Sequence, residues 1–214
     1  MTYAGKGAAL PQFQRPLQLS HIDAVVFDLD GTLAHSNPDF PAMRAALGLA
    51  SGADILAHVQ SLPAAAQPQA LNIVHQFELE AAANASWIDG AAELLNWLHG
   101  EGLPTAVLTR NMREAARHTL SRLGLDVDVL LTREDAPAKP DPTGLWQIAT
   151  AWQLPPARVL YVGDYLFDLQ TAARAGCPSA LYCPQQLPPF ASMADMLVPC
   201  YFGLIEAFSV SRNG

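Results

Sequence analysis

Lysine is nearly absent from this chain of 214 residues: Lys6 and Lys139 are the only two. Lysine and arginine together number 12 against 20 acidic residues, a formal net charge of −8, and the pI is near 5.0. Such a charge balance argues against a general binder of nucleic acid or of anionic membranes. Cysteine is scarce too. Cys177, Cys183 and Cys200 are an odd set with no CxxC pair, so a zinc site and a disulfide framework are both poorly supported, and a cytoplasmic, reducing location is expected. No run of about 18 apolar residues is present, so no membrane span is expected. Residues 1–20 carry scattered prolines and glutamines and no apolar h-region. They read as a flexible N-terminal arm and not as a signal peptide. Internal repeats are lacking as well.

What is there is a chain that is half hydrophobic and only 15% charged, which fits a compact domain with room for one insertion. Its organising stretch is Ala24-Val25-Val26-Phe27-Asp28-Leu29-Asp30-Gly31-Thr32-Leu33. The apolar run reads as a buried strand. It ends in two carboxylates two residues apart, which in extended chain point the same way. Gly31 permits a sharp turn and Thr32 adds a hydroxyl. Two neighbouring acids raise each other's pKa unless a cation lies between them. The pair therefore predicts a bound divalent metal or one protonated acid, although the same residues also suit a solvated turn.

Between Ser36 and Ser86 no strand pattern occurs. Residues 42–49, 53–61 and 68–85 read as three helices, the last with an apolar stripe of Leu71, Val74, Phe77 and Ala81. Residues 37–41 read as a loop or helix start. From Trp87 onward strands and helices alternate. Strands are expected over 104–108, 127–131, 159–162, 180–182 and 196–198. Helices are expected from Asp89 to His99, from Asn111 to Leu123, from Asp141-Pro142 to Trp152, from Asp168 to Gly176, and over 203–208. Asn111 with Glu114 resembles a capping box, and Gly124 suits the left-handed position after a helix. Alternation of this kind implies an α/β fold with a doubly wound parallel sheet. A small all-helical cap is inserted after the first strand. The expected division is an arm over 1–20, a core over 21–35 and 87–214, and a cap over 36–86.

In such sheets ligands bind beyond the carboxyl ends of the strands. Asp28/Asp30, Thr109, the loop holding Lys139, and Asp164 with Asp168 all fall there. A carboxylate nucleophile is known chemistry for phosphoryl groups. Its attack on an anion needs charge cancellation by hard-ligated Mg²⁺, an ammonium and a hydroxyl. One candidate for each is present. Taken singly, each has a plainer reading: Thr109 as a strand end, Lys139 as a solvated loop lysine, Asp164 as a turn acid, Asp168 and Asn111 as helix caps. Arg110 either reaches the leaving group of a substrate or lies along the surface.

The order Asp28-x-Asp30-Gly31-Thr32-Leu33, then Thr109, then Lys139-Pro140, then Gly163-Asp164-x-x-x-Asp168 resembles the haloacid dehalogenase superfamily. It is similar to its phosphatase branch with a small helical cap, phosphoglycolate phosphatase-like hydrolases included. The resemblance implies a Rossmann-like core and a cytoplasmic, Mg²⁺-dependent phosphatase that forms an aspartyl-phosphate. It implies Asp28 as nucleophile and Asp30 as general acid and base. Thr109 and Lys139 bind the phosphoryl group, and Arg110 is a further substrate-binding candidate. The Asp28 carboxylate, the Asp30 backbone carbonyl and Asp164 hold the metal. Asp168 holds Lys139 or a metal-bound water. An acid at Asp30 favours phosphoryl transfer over dehalogenation.

His35 departs from the acidic residue frequent at its position, and a hinge or surface role is expected. Trp87 is expected to pack where cap meets core. The insertion contains one cation, Arg44, and no lysine. Phosphonate hydrolysis by a cap lysine and a multiply charged substrate are thereby disfavoured. The expected partner is a small phosphorylated molecule such as phosphoglycolate or a sugar phosphate, with the protein a monomer or weak dimer. Two alternatives share the chemistry. One is a phosphomutase, which needs cap residues for a bisphosphate. The other is a phospho-accepting signalling module, which has no reason to carry Asp30 or an insertion of this length.

Overall fold

The computed structural model describes residues 8–36 and 38–213. Asn37 and the first seven residues of the expected arm therefore lie outside the described residues. In chain order the elements are β1 (Gln12–Phe13), β2 (Ala24–Phe27), β3 (Ala34–His35), α1 (Phe40–Ala46), α2 (Ile55–Ser61), α3 (Gln67–Ala83) and β4 (Ser86–Trp87). There follow α4 (Ala91–Gly100), β5 (Thr105–Leu108), α5 (Arg113–Leu123), β6 (Val129–Leu131), α6 (Thr143–Ala151) and β7 (Val159–Gly163). The chain closes with α7 (Leu166–Ala175), β8 (Ser179–Tyr182), β9 (Met196–Val198) and α8 (Tyr201–Asn213).

Seven strands form one sheet in the order β1-β9-β8-β7-β2-β5-β6. All neighbours are parallel except β1, which pairs antiparallel with β9, Gln12 opposite Leu197 and Phe13 opposite Met196. β2 is central, with Val26 opposite both Ala106 of β5 and Tyr161 of β7. Its four residues are all buried, because both faces of the sheet are covered and no polar side of the strand is left. The strand's alternation divides them. Val25 and Phe27 pack with Leu94 and Leu98 of α4 and Leu204 and Phe208 of α8. Ala24 and Val26 pack with Leu145 and Ile148 of α6 and Ala172 of α7. Each fully buried Leu, Ile or Phe stabilises the fold by about 1.5–3 kcal/mol relative to exposure.

The described part of the N-terminal segment lies on this core. β1 extends the sheet edge, Leu19 is buried with β2 in the larger cluster, and the Ala9 carbonyl sits against Gly203, leaving no space for a Cβ there. Sequence patterning shows little of this because a two-residue strand carries no alternation to detect.

Helices α1–α3 build their own apolar cluster of Met43, Ile55, Val59, Ala70 and Val74. The chain enters and leaves them through β3 and β4, a two-stranded ribbon in which Ala34 faces Trp87 and exposed His35 faces Ser86. Trp87 packs against the main core and its indole N–H donates to the Leu123 carbonyl at 3.1 Å. The buried face of α3 is Ala70, Val74, Glu78, Ala81 and Ala82. Leu71, expected on it, is 39% exposed. The stripe is rotated because an acid, Glu78, occupies the inward row.

Two helix starts also differ from expectation. α4 begins after Gly90, in the left-handed conformation, and not at a capping Asp89. α5 begins after Met112 with no side-chain cap, so Asn111 is free for another partner. All three cysteines are free thiols. Among the described residues, no helix is long and apolar enough to cross a membrane.

Tyr201, fully buried at the start of α8, stacks on Tyr182 at 4.4 Å and donates to the Thr32 carbonyl at 2.8 Å. It props the turn that follows β2. Tyr201→Phe keeps the ring and deletes the hydrogen bond, and it lowers unfolding free energy by about 1–2 kcal/mol. Urea titration checks this, and an unchanged midpoint contradicts it.

Candidate active site

Four neighbouring strands deliver their carboxyl ends to one place. β2 ends at Asp28, β5 at Thr109, β6 leads into the loop carrying Lys139, and β7 ends at Asp164. With Asp30 and Asp168, these side chains line a cavity of about 280 Å³ between the sheet and helices α1–α3. Parallel strands in register bring together residues up to 140 positions apart in the chain.

At the centre is Lys139, buried at 5% exposure. Its ammonium donates to Asp28 Oδ1 at 2.5 Å and to Asp168 Oδ1 at 2.6 Å. Burial alone lowers an ammonium's pKa, but Asp168 and Asp28 outweigh it and the net shift is upward. Asp168 is fully engaged. Its Oδ1 also accepts from the Tyr161 hydroxyl at 3.1 Å, and its Oδ2 accepts from the Tyr165 N–H at 2.9 Å at the start of α7. Asp168 is not the N-cap expected for it: α7 starts two residues earlier, after Tyr165, and Asp168 is the third residue of its first turn, where it accepts from the Tyr165 N–H while it holds Lys139. A Cβ on Gly163 would collide with Asp168.

Asp28, Asp164 and Asp168 each offer a carboxylate oxygen within 4.8 Å of the others. Three acids face one ammonium here. Burial raises the Asp28 pKa well above its ordinary value; Lys139 opposes this, and Asp168 and Asp164 add to it. Burial, then repulsion from Asp168, raises Asp164 to about 7. A cluster of carboxylate oxygens this close, with more negative than positive charge, is of the kind that could hold a hard divalent cation. Gly31, at φ +82°, makes the cradle possible, since a Cβ there would overlap the Asp164 carboxylate. With Asp168 committed to Lys139, the oxygens left to hold an ion are those of Asp28 and Asp164.

The Asp30 side chain lines the same cavity but is not one of that triplet. It accepts from the Ser36 hydroxyl in a short contact and from the Asn111 side-chain N–H at 2.6 Å. Burial raises its pKa, and the Ser36 and Asn111 bonds oppose the rise. Asn111, read from sequence as a helix cap, is therefore a partner of Asp30. The Asn111 main-chain N–H donates to the Thr109 hydroxyl at 3.1 Å, which fixes both residues in one turn.

Arg110 sits over the Phe167 ring at 4.4 Å and pairs with Asp54 at 2.6 Å. Behind it, Arg133 donates to Glu78 at 2.5 Å and to the Arg110 carbonyl at 2.9 Å, while the Met112 N–H donates to the other Glu78 oxygen at 3.1 Å. This buried ion pair ties α3 to the loops after β5 and β6. Sequence reasoning found neither Ser36 nor Asn111 as partners of Asp30, nor the Glu78–Arg133 and Arg110–Asp54 ties. For Glu78 a signal existed: an acid in register with the apolar row Ala70, Val74 and Ala81.

The chain matches the family model described as haloacid dehalogenase-like hydrolase over residues 42–182. It is 33% identical over 174 residues to a haloacid dehalogenase-like hydrolase domain-containing protein of Arabidopsis thaliana, covering 76% of this chain and 71% of that one. It is 34% identical over 184 residues to a phosphoglycolate phosphatase of Cereibacter sphaeroides, covering 74% and 84%. A crystal structure of a predicted phosphoglycolate phosphatase from Haemophilus somnus superposes with a TM-score of 0.71 at 23% identity, covering 87% of this chain and 97% of that one. That likeness is one of fold.

Two outcomes are expected from this geometry. Millimolar Mg²⁺ raises the thermal midpoint of the wild type, since a ligand at 100 times its Kd adds about 2.7 kcal/mol. Asp164→Asn abolishes that shift, and retention of the shift in the variant contradicts the assignment. Glu78→Ala leaves the Arg133 charge buried and unpaired and costs about 3–5 kcal/mol in urea unfolding, whereas replacing both partners by apolar residues costs less. Equal costs contradict the buried-pair account.

Proposed function

This chain belongs to the haloacid dehalogenase-like hydrolases, and we propose that within that family it is a Mg²⁺-dependent phosphatase of small phosphate monoesters, phosphoglycolate or a sugar phosphate among them, working through an aspartyl-phosphate. The observation that carries the reading is the Lys139 bridge between Asp28 and Asp168 at the carboxyl end of the central strand. It holds one Asp28 oxygen and directs the buried carboxylate into the cavity.

In this reading residues 36–86 are the cap over the site. The phosphoryl group lies against Asp28, with Thr109 and Lys139 binding its oxygens. Asp28, Asp164 and the Asp30 main-chain carbonyl would hold Mg²⁺, whose charge would offset that of the phosphate. An Asp28 oxygen forms a bond to phosphorus as the ester P–O bond breaks. Asp30, oriented by Ser36 and Asn111, gives its proton to the departing oxygen. The same carboxylate then takes a proton from water as that water attacks phosphorus and releases Asp28. The cavity of about 280 Å³ suits a small leaving group and not a polymer end. A phosphomutase must hold a second phosphate, and six carboxyl groups against three cations line this cavity, so net hydrolysis is the favoured outcome.

Asp28→Asn is expected to abolish Mg²⁺-dependent release of inorganic phosphate from an aryl phosphate. Asn111→Ala is expected to lower kcat by about 10–100-fold, the cost of one lost hydrogen bond to a buried acid. Steady-state phosphate assays check both. Full turnover by Asp28→Asn rules out Asp28 as the nucleophile.

A further inference from the structure

The leaving-group side of the cavity carries information that the phosphoryl site does not. Its walls include Phe40, Met43, Ile55 and Val74 from the helical insertion and Phe167 from α7. The cations lining it are Arg44, Arg110 and Lys139. Lys139 is paired with Asp28 and Asp168 at the phosphoryl end of the cavity. Arg44 lies over the Phe40 ring at 5.9 Å, and its Nε donates to the Ala53 carbonyl at 3.0 Å, which pins it to the loop carrying Asp54.

Arg110 is the cation best placed to meet a second anionic group on a substrate. It follows Thr109 directly and its guanidinium is braced on Phe167. Yet Asp54 reaches across from the insertion and holds it at 2.6 Å, the two side chains being only 22% and 28% exposed. The Asp54 carboxylate is itself fixed, accepting from the Leu56 and Ala57 N–H groups at 3.0 and 3.3 Å. A substrate carboxylate aimed at Arg110 has to displace Asp54 and then stay beside it, a like-charge contact in a partly desolvated site.

We infer that Asp54 is a specificity-determining residue. By neutralising Arg110 it makes the leaving-group pocket fit phosphate monoesters of uncharged alcohols and disfavours those whose alcohol carries a carboxylate. The inference rests on the phosphatase reading above. It separates the two substrate kinds that reading leaves side by side: sugar-type esters are accepted and phosphoglycolate is not. In this the chain would differ from the phosphoglycolate phosphatase of Cereibacter sphaeroides.

The test uses the full chain with Mg²⁺ and two esters of matched size, 2-hydroxyethyl phosphate and phosphoglycolate, with an aryl phosphate as reference. Wild type is expected to favour the uncharged ester in kcat/KM by about tenfold or more, the scale of one charged contact. Asp54→Asn removes the charge but keeps an oxygen for the two helix N–H groups. It is expected to raise kcat/KM for phosphoglycolate by about tenfold. The quantity read is the ratio of kcat/KM between the two esters, so an effect of the substitution common to both does not move it. Asp54→Ser, which also keeps a capping oxygen, is expected to shift the ratio the same way, and Arg110→Gln added to Asp54→Asn is expected to cancel the gain. A wild type that prefers phosphoglycolate, or a ratio unmoved in both Asp54 variants, overturns the inference while leaving the phosphatase reading standing. Failure to hydrolyse all three esters sinks that reading and the inference with it.

Discussion

One ammonium group holds the site together. Lys139 contacts a carboxylate from the first core strand's end and another from the helix after β7, and so joins segments more than 100 residues apart in the chain. Without it, three clustered acids, two of them buried, would repel one another, and folding would have to protonate or expose them. With it, one positive charge is shared between two of the three carboxylates, Asp28 and Asp168. The remaining excess of negative charge is the ground for the proposed metal site. The near-absence of lysine elsewhere in the sequence makes the placement of this one more telling.

The fold serves that arrangement. A sheet covered on both faces lets β2 be apolar throughout, and parallel pairing puts the ends of β2, β5, β6 and β7 at a common edge. The backbone accommodates the chemistry where side chains must crowd. Gly31 gives Asp164 its space and Gly163 does the same for Asp168. Tyr201, at the start of α8, supports the intervening turn through the Thr32 carbonyl.

Core architecture was legible from the sequence because long apolar runs and strand–helix alternation are strong local signals. The side chains brought together at the strand ends were legible because the motifs are spaced by whole βα units. The links between insertion and core, and the bond between Asn111 and Asp30 within the core, were not. Glu78 meets Arg133, Arg110 meets Asp54, and Asn111 meets Asp30 across 55, 56 and 81 residues. Such pairings leave no periodic trace. Local rules misled at Asn111, whose spacing to Glu114 imitates a cap although its amide turns to Asp30. They misled again at Leu71, which loses its inward place to a neighbouring row containing an acid.

The account's central claim is that phosphorus becomes bonded to an oxygen of Asp28 during turnover. Acid quenching of the enzyme with a labelled ester, followed by borohydride reduction and peptide mass analysis, reads this directly. The account predicts a reduced acyl phosphate, a homoserine mass, at position 28 alone. An unmodified Asp28 peptide under conditions of active turnover, or the reduced residue at another acid, would contradict it.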